Sequence, residues 1–240
     1  MLKKINLLAF AAHPDDVEIS ASGIMIKHKN MGLSTGIVDL TRGELGTRGS
    51  ADIRDAEAAN AANIMGLDVR ENLGFKDGFF ENDETHLLKV ITAIRKYQPD
   101  TVLINSEFDR HPDHGRAHQL LKRACFLSGL PKIETSFNGE NLPAWRPKAV
   151  YSYIQDYFID PHIIVDVTDV WESRMAALNA FSSQFFDPLS AEPNTPISNP
   201  EFFSFIEGRG HQFGRFIQAK FGEGLRTVRP IGVMNLNQLY

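Results

Sequence analysis

Four times between residues 5 and 126 a short, almost wholly apolar run is followed by a longer helical stretch. The apolar runs are 5–12, 34–40, 69–75 and 101–105, and the helical stretches are 18–30, 51–65, 85–96 and 115–126. Strands apolar on both sides must be covered on both sides, so this alternation predicts a mostly parallel sheet with helices on both faces, an α/β Rossmann-like fold. Two further runs, 149–154 and 162–167, read as strands, and 171–181 as a helix. A Pro/Ser/Asn-rich stretch at about 183–201 reads as an ordered loop or lid because aromatic residues bracket it. The Phe-rich segment 202–222 reads as a last helix whose apolar stripe serves core or subunit interface. Neither a repeat nor a linker interrupts the 240 residues, which are read as a single domain.

The formal net charge is −5, and no block of Lys or Arg marks a nucleic-acid or anionic-membrane partner. The single cysteine, Cys125, excludes an internal disulfide and reads as a small apolar residue of a helix. The opening "MLKKINLLAFAA" has the look of a short leader, but its apolar run is eight residues long, contains Asn6 and leads directly into His13. It reads as a first buried strand of a cytoplasmic protein.

Charge enters abruptly at two strand ends. "HPDD" (13–16) follows the first apolar run and "DRHPDH" (109–114) the fourth. One His-Pro-Asp is ordinary turn chemistry, whereas two copies at the ends of buried strands point to a site. In parallel α/β sheets ligands bind beyond the carboxyl ends of the strands. If the two strands are neighbours, one imidazole and one carboxylate from the first cluster plus one imidazole from the second make three metal ligands with an open position, the arrangement of a catalytic zinc site. The segment "TRGELGTRGSADIRDAE" (41–57) brings glycines and arginines to the same edge, able to clamp an anion or to form a solvated helix entry. Asp77, in "GFKDG", is either a site carboxylate or part of an Asp-Gly turn.

"AHPDD", "TRGELGTRG" and "HPDHGRAH", each after a strand, resemble the LmbE/PIG-L family of zinc-dependent N-acetylglucosaminyl deacetylases. Through "TRGELGTRGS", "DRHPDHGRAH" and "EPNTPIS" the likeness is greatest to the members acting on N-acetyl-α-D-glucosaminyl L-malate in bacillithiol biosynthesis. The resemblance implies one Zn2+ per chain on His13, Asp16 and His114, with Asp15 as general base. It implies that His111, held by Asp113, stabilises the charged intermediate, and that Arg54 and Asp77 hold the sugar. It also implies a homo-oligomer, commonly a hexamer, and a small amino-sugar substrate. Where some members carry a tyrosine before HPDH this chain has Phe108-Asp109-Arg110, and Phe221 stands where tyrosine is common.

Arg42, Arg48, Arg54 and Arg110 give the proposed edge a local positive charge that favours a carboxylate-bearing glycoside. Among rival functions, a non-haem iron oxygenase shares the two-His-one-carboxylate ligand set, but its usual antiparallel barrel does not suit this alternation. A nucleotide-binding module lacks its glycine fingerprints. A scaffold role leaves both His-Pro-Asp clusters without a purpose.

Overall fold

The computed structural model describes residues 3–235. Its centre is β1 (Leu7–Ala11), whose five residues are all buried. On one side it pairs in parallel with β2 (Thr35–Thr41), which in turn pairs with β3 (Val69–Phe75). On the other side it pairs in parallel with β4 (Thr101–Ile104), Leu7 opposite Thr101 and Ala9 opposite Leu103. The strand order therefore reverses between β1 and β4, and the segments leaving these two strands emerge side by side.

Helices cover both faces, as the alternation predicts. Leu7, Ala9 and Ala11 pack with α2 (Ser22–Asn30), α3 (Ala51–Met65), α6 (Trp171–Asn179) and α7 (Phe202–Phe216). Leu8, Phe10 and Ala12 pack with α4 (Glu84–Tyr97) and α5 (Pro112–Leu127). Successive strand residues alternate between the two cores because the side-chain period of a strand is two. Among the described residues no helix is long and apolar enough to cross a membrane.

Three features differ from the sequence expectation. The first helical stretch is two pieces, α1 (Asp16–Ser20) and α2, broken at Ala21 with φ −147°. The break exposes the N–H groups of Gly23 and Ile24, which donate to the Glu223 carboxylate at 3.0 and 2.7 Å. A small hairpin, β5 (Ser136–Phe137) and β6 (Glu140–Asn141), turns at Asn138-Gly139, both with positive φ. The largest difference lies after α7, which ends at Phe216 rather than at 222, and residues 222–227, where no strand was expected, form one. This strand, β9 (Gly222–Thr227), inserts antiparallel between β7 (Ala149–Tyr153) and β8 (Ile163–Asp166), giving the sheet order β3-β2-β1-β4-β7-β9-β8. A glycine opens it for a steric reason: a Cβ on Gly222 would lie 2.7 Å from Ile164 Cγ2 and 2.9 Å from the backbone nitrogen of Gly214.

Candidate active site

The two His-Pro-Asp segments meet beyond the ends of β1 and β4. Asn105, the first residue after β4, joins them: its Oδ1 accepts from Ala12 N at 3.1 Å and its Nδ2 donates to Asp16 Oδ2 at 2.9 Å. Asp16 Oδ2 also accepts from His13 N at 2.9 Å, so the turn chemistry of the motif is present and fixes the carboxylate. The other oxygen, Oδ1, faces His114 Nε2 at 3.0 Å. Gln155, just past β7, donates from Nε2 to the same Oδ1 at 3.1 Å while its Oε1 accepts from Asn105 Nδ2 and Ser106 N.

Each of two imidazoles is tied at its far nitrogen by carboxylates. His13 Nε2 donates to Asp77 Oδ1 at 3.1 Å and lies 3.4 Å from Asp113 Oδ2, leaving Nδ1 3.8 Å from Asp16 Oδ2. His114 Nδ1 donates to Asp109, leaving Nε2 toward Asp16. Carboxylates behind histidines in this way set the tautomer and raise the basicity of the free nitrogen, as in metal centres. Donor atoms of His13, His111 and His114 lie within 4.8 Å of one another, as do those of His13, Asp77 and Asp113. In the second group the carboxylates are already engaged: Asp77 Oδ2 accepts from Leu45 N, and Asp113 accepts from Gly78 N and Arg116. On the side facing Asp16 the groups are held by neutral amides, Gln155 Nε2 lying 3.1 Å from Asp16 Oδ1 and 3.3 Å from His114 Nε2. Two imidazole nitrogens and one carboxylate oxygen, with further carboxylates behind, fit a divalent cation.

The charge balance carries the same message. Although burial opposes it, Asp16 is held well below the usual carboxylate range by His114 and His13. His114, despite its own burial, is raised to about 9 by Asp16 and Asp109. So many buried acids around two imidazoles call for positive charge, whether protons or a metal ion.

Asp15 stands apart. It takes φ 115°, a conformation that strains any residue with a Cβ, and its side chain makes no cap hydrogen bond. Burial raises it to about 7, against the pull of Arg54, whose guanidinium nitrogen lies 3.6 Å from Oδ2. Arg54 sits in the first turn of α3, which Ser50 caps, and also reaches Pro14 O and Gln184. Gly43 is required beside it: φ is +63° and a Cβ would fall 2.7 Å from the Arg54 guanidinium.

His111 caps α5, its Nδ1 accepting from Asp113 N at 3.2 Å. That bond fixes the proton on Nε2. Burial, followed by neighbouring His13 and His114, pushes it down to about 4. It is therefore a neutral N–H donor, and the expected partnership with the Asp113 carboxylate is replaced by one with the Asp113 backbone. Asp113 itself, turned by the first turn of α5, serves His13. Asp77, expected on the sugar, is likewise engaged with His13 and Leu45 N.

A cavity of ≈ 350 Å3 opens in front of these groups, with His13, Asp15, Asp16, Arg54, Arg110 and His111 in its wall. Gln184, Thr195, Pro196 and Ile197 close one side of it, so the 183–201 segment does border the site. It is tied down by Glu192, which accepts from Gly49 N at 3.0 Å, and by Ser183 on Glu57. Of the four arginines expected at this edge, only Arg54 and Arg110 reach the cavity. Arg42 is held on the surface by Asp52 and Asp55, and Arg48 faces Glu192 at 3.6 Å.

Asn105, Asp109, Gln155 and Gln184 were not among the expected site residues. A polar residue immediately after a buried strand is the signal that marks Asn105 and Gln155.

The profile of the PIG-L family, GlcNAc-PI de-N-acetylase, matches residues 8–125. Diacetylchitobiose deacetylase of Thermococcus kodakarensis is 30% identical over 236 residues, spanning 94% of this chain and 84% of that enzyme. The chain belongs to the PIG-L family. Metal-dependent N-deacetylation is general to the family, and the chain is an amide hydrolase of that kind. A conserved protein of Thermus thermophilus superposes with TM-score 0.84 at 32% identity, covering 97% of this chain and 98% of that one. The chain is also similar to a 4-oxalmesaconate hydratase of Pseudomonas putida, 27% identical over 75% of this chain and 74% of that enzyme. The probable N-acetyl-α-D-glucosaminyl L-malate deacetylase 2 of Bacillus cereus is 23% identical over 75% of this chain and 83% of that enzyme. The subgroup expected from the sequence is thus a distant relative.

Proposed function

We propose that the protein is a Zn2+-dependent hydrolase that removes the acetyl group from an N-acetylglucosaminyl conjugate, with the metal on His13, Asp16 and His114. The carrying observation is Asp15: a buried carboxyl held at about 7, beside the donor set but outside it. A bound Zn2+ lowers the pKa of a water and polarises an amide carbonyl. Asp15 takes the proton from the attacking water and passes it to the departing amine, a contribution of about 10²–10⁴ in rate. Arg54 holds Asp15 in place, and His111 offers its Nε2–H to the developing oxyanion. Arg110, at the rim, meets the aglycone. A malate glycoside draws support from Arg54 and Arg110, and none from Arg42 or Arg48.

The test is metal analysis of the purified protein with amine release measured on free N-acetylglucosamine, its methyl glycoside, N,N′-diacetylchitobiose and the malate glycoside. Amine release that requires Zn2+ and disappears in Asp15→Asn, with metal retained, is the expected result. Water addition to 4-oxalmesaconate without amine release from any glycoside, or a reaction that consumes oxygen, overturns it.

A further inference from the structure

A second cavity, of ≈ 410 Å3, lies between the start of α3 and the 183–201 segment. It shares no wall residue with the catalytic cavity: Gln184 faces that one, while Ser183 and Phe185 on either side of it face this one. Among the described residues Arg48 is the only cation in its wall, and it is 4% exposed. Its Nε is buried and has no hydrogen-bond partner. Glu192 Oε2 stops 3.6 Å away, beyond hydrogen-bond reach. A buried charged donor left in this way carries an unrecovered desolvation cost.

The acids of the same wall are in the opposite condition. Both oxygens of Glu57 are engaged, Oε1 by Ser183 N at 2.7 Å and Oε2 by Ser183 Oγ at 2.8 Å. Asp187 Oδ1 accepts from Leu189 N at 2.9 Å, and Glu192 Oε1 accepts from Gly49 N at 3.0 Å. The arginine is the group with bonding capacity to spare. Around it the wall is apolar. Phe185 and Phe203 lie with ring centroids 5.1 Å apart, and Phe186 is 44% exposed. Ile53 adds the first turn of α3, the positive end of that helix.

We propose that this cavity binds a monocarboxylate with an apolar body, the carboxylate on Arg48 and the body against Phe186 and Phe203. Apolar walls with one convergent charged group are the make-up of a small-molecule site, and a planar guanidinium matches a carboxylate in geometry. Glu57, Asp187 and Glu192 stand in the same walls, so a phosphate, with about two negative charges, meets more repulsion than a singly charged carboxylate. Glu192 is the ligand's rival within the chain, since its own carboxylate already approaches Arg48. The site is independent of the chemistry proposed for the catalytic cavity.

Phenylacetate, acetate and inorganic phosphate, titrated calorimetrically into the Zn2+-loaded protein, test this. Phenylacetate should bind the most tightly of the three, and phosphate binding more tightly than phenylacetate overturns the proposal. Arg48→Gln should weaken phenylacetate at least about tenfold. Glu192→Gln removes the rival charge while keeping an acceptor for Gly49 N, and should tighten phenylacetate about two- to fivefold. Phe186→Ala should weaken phenylacetate and leave acetate unchanged. Residues 186 and 192 are about half exposed, so these two variants decide the matter even if Arg48→Gln fails to fold. Unaltered binding in Glu192→Gln and Phe186→Ala overturns the proposal. Because a carboxylate can also seek a metal ion, crystals soaked in 4-bromophenylacetate fix the position by the anomalous signal of bromine. A peak beside Arg48 is the expected result, and a peak only in the catalytic cavity overturns it.

Discussion

Asp109 holds His114 by its Nδ1, and the opposite nitrogen of the same ring points at Asp16 Oδ1 from 3.0 Å. The aspartate also accepts, through Oδ1, from the backbone of Asp156 and Tyr157 at 2.9 Å each, so one side chain fixes both the ring of a proposed metal ligand and the loop after β7. Replacing it with asparagine keeps an acceptor for the loop but removes the charge behind the ring. Zn2+ affinity of Asp109→Asn should fall about 10–100-fold, measured by competition against a metal buffer. Wild-type affinity would show that the pair orients the ring without tuning it.

The adjacent acids should separate cleanly. Asp16→Ala loses metal because it removes a ligand, whereas Asp15→Asn keeps metal and loses most turnover. His13→Ala and His114→Ala should also empty the site while the fold survives, since the apolar strands build the sheet. Metal content and thermal melts on the four proteins check this, and full occupancy in His114→Ala contradicts the ligand assignment.

Arg54 should set the acid limb of the pH profile. Asp15, as the proposed base, would act only when ionised, so kcat/KM should decline as pH falls through its pKa. Desolvation raises that value to about 7 and Arg54 lowers it; a bound cation lowers it further, placing the limb of the loaded enzyme at or below pH 7. Arg54→Ala should move the limb to higher pH, and Arg54→Lys should return it part of the way. A limb that does not move in Arg54→Ala assigns the titration to another group.

Cys125 should be inert. It is fully buried against the α4–α5 core, and desolvation pushes its thiol up to about 12 from 9.0. The native protein should resist alkylation at pH 8, and the unfolded protein should react at once. The stability that accompanies the neutral thiol is whole below pH 9 and is lost as pH rises toward 12.

Gly214→Ala and Gly208→Ala should differ in sign. The first forces a methyl against backbone carbonyls at 2.8 Å and should cost about 1–3 kcal/mol. The second meets nothing and should stabilise by up to about 1 kcal/mol. Chemical denaturation of both measures the difference, and equal losses would mean that the open face at 208 is not open.

What could be read from the chain follows from how locally each feature is determined. β1 and β4 are runs of consecutive apolar residues, and the charged clusters after them declare a site at their ends. β9 was not legible, because "GEGLRT" has two glycines and little strand propensity, and only the gap between β7 and β8 makes it a strand. The break at Ala21 was equally hidden, since the acceptor that stabilises it lies 200 residues away at Glu223. Within the site, the residue types were legible and their directions were not. Asp113 is two residues from His111, yet the turn of α5 carries its carboxylate to His13. Arg42 and Arg54 share one charged segment, yet Arg42, in the loop before α3, is held on the surface by Asp52 and Asp55, while Arg54, in the first turn of α3, faces Asp15.

The reach of Glu223 across the molecule also dictates an order of events during synthesis. The HPDD segment leaves the ribosome long before Glu223, and until residue 223 arrives the helix behind it lacks the carboxylate that accepts from Gly23 and Ile24. Arg174 bonds the Ile19 carbonyl and Glu223 together, so this support is itself assembled from late sequence. A nascent chain can lay down β1 to β4 and still lack a settled metal-facing loop. Competence to hold the proposed ion should therefore arise only after residue 223 has emerged.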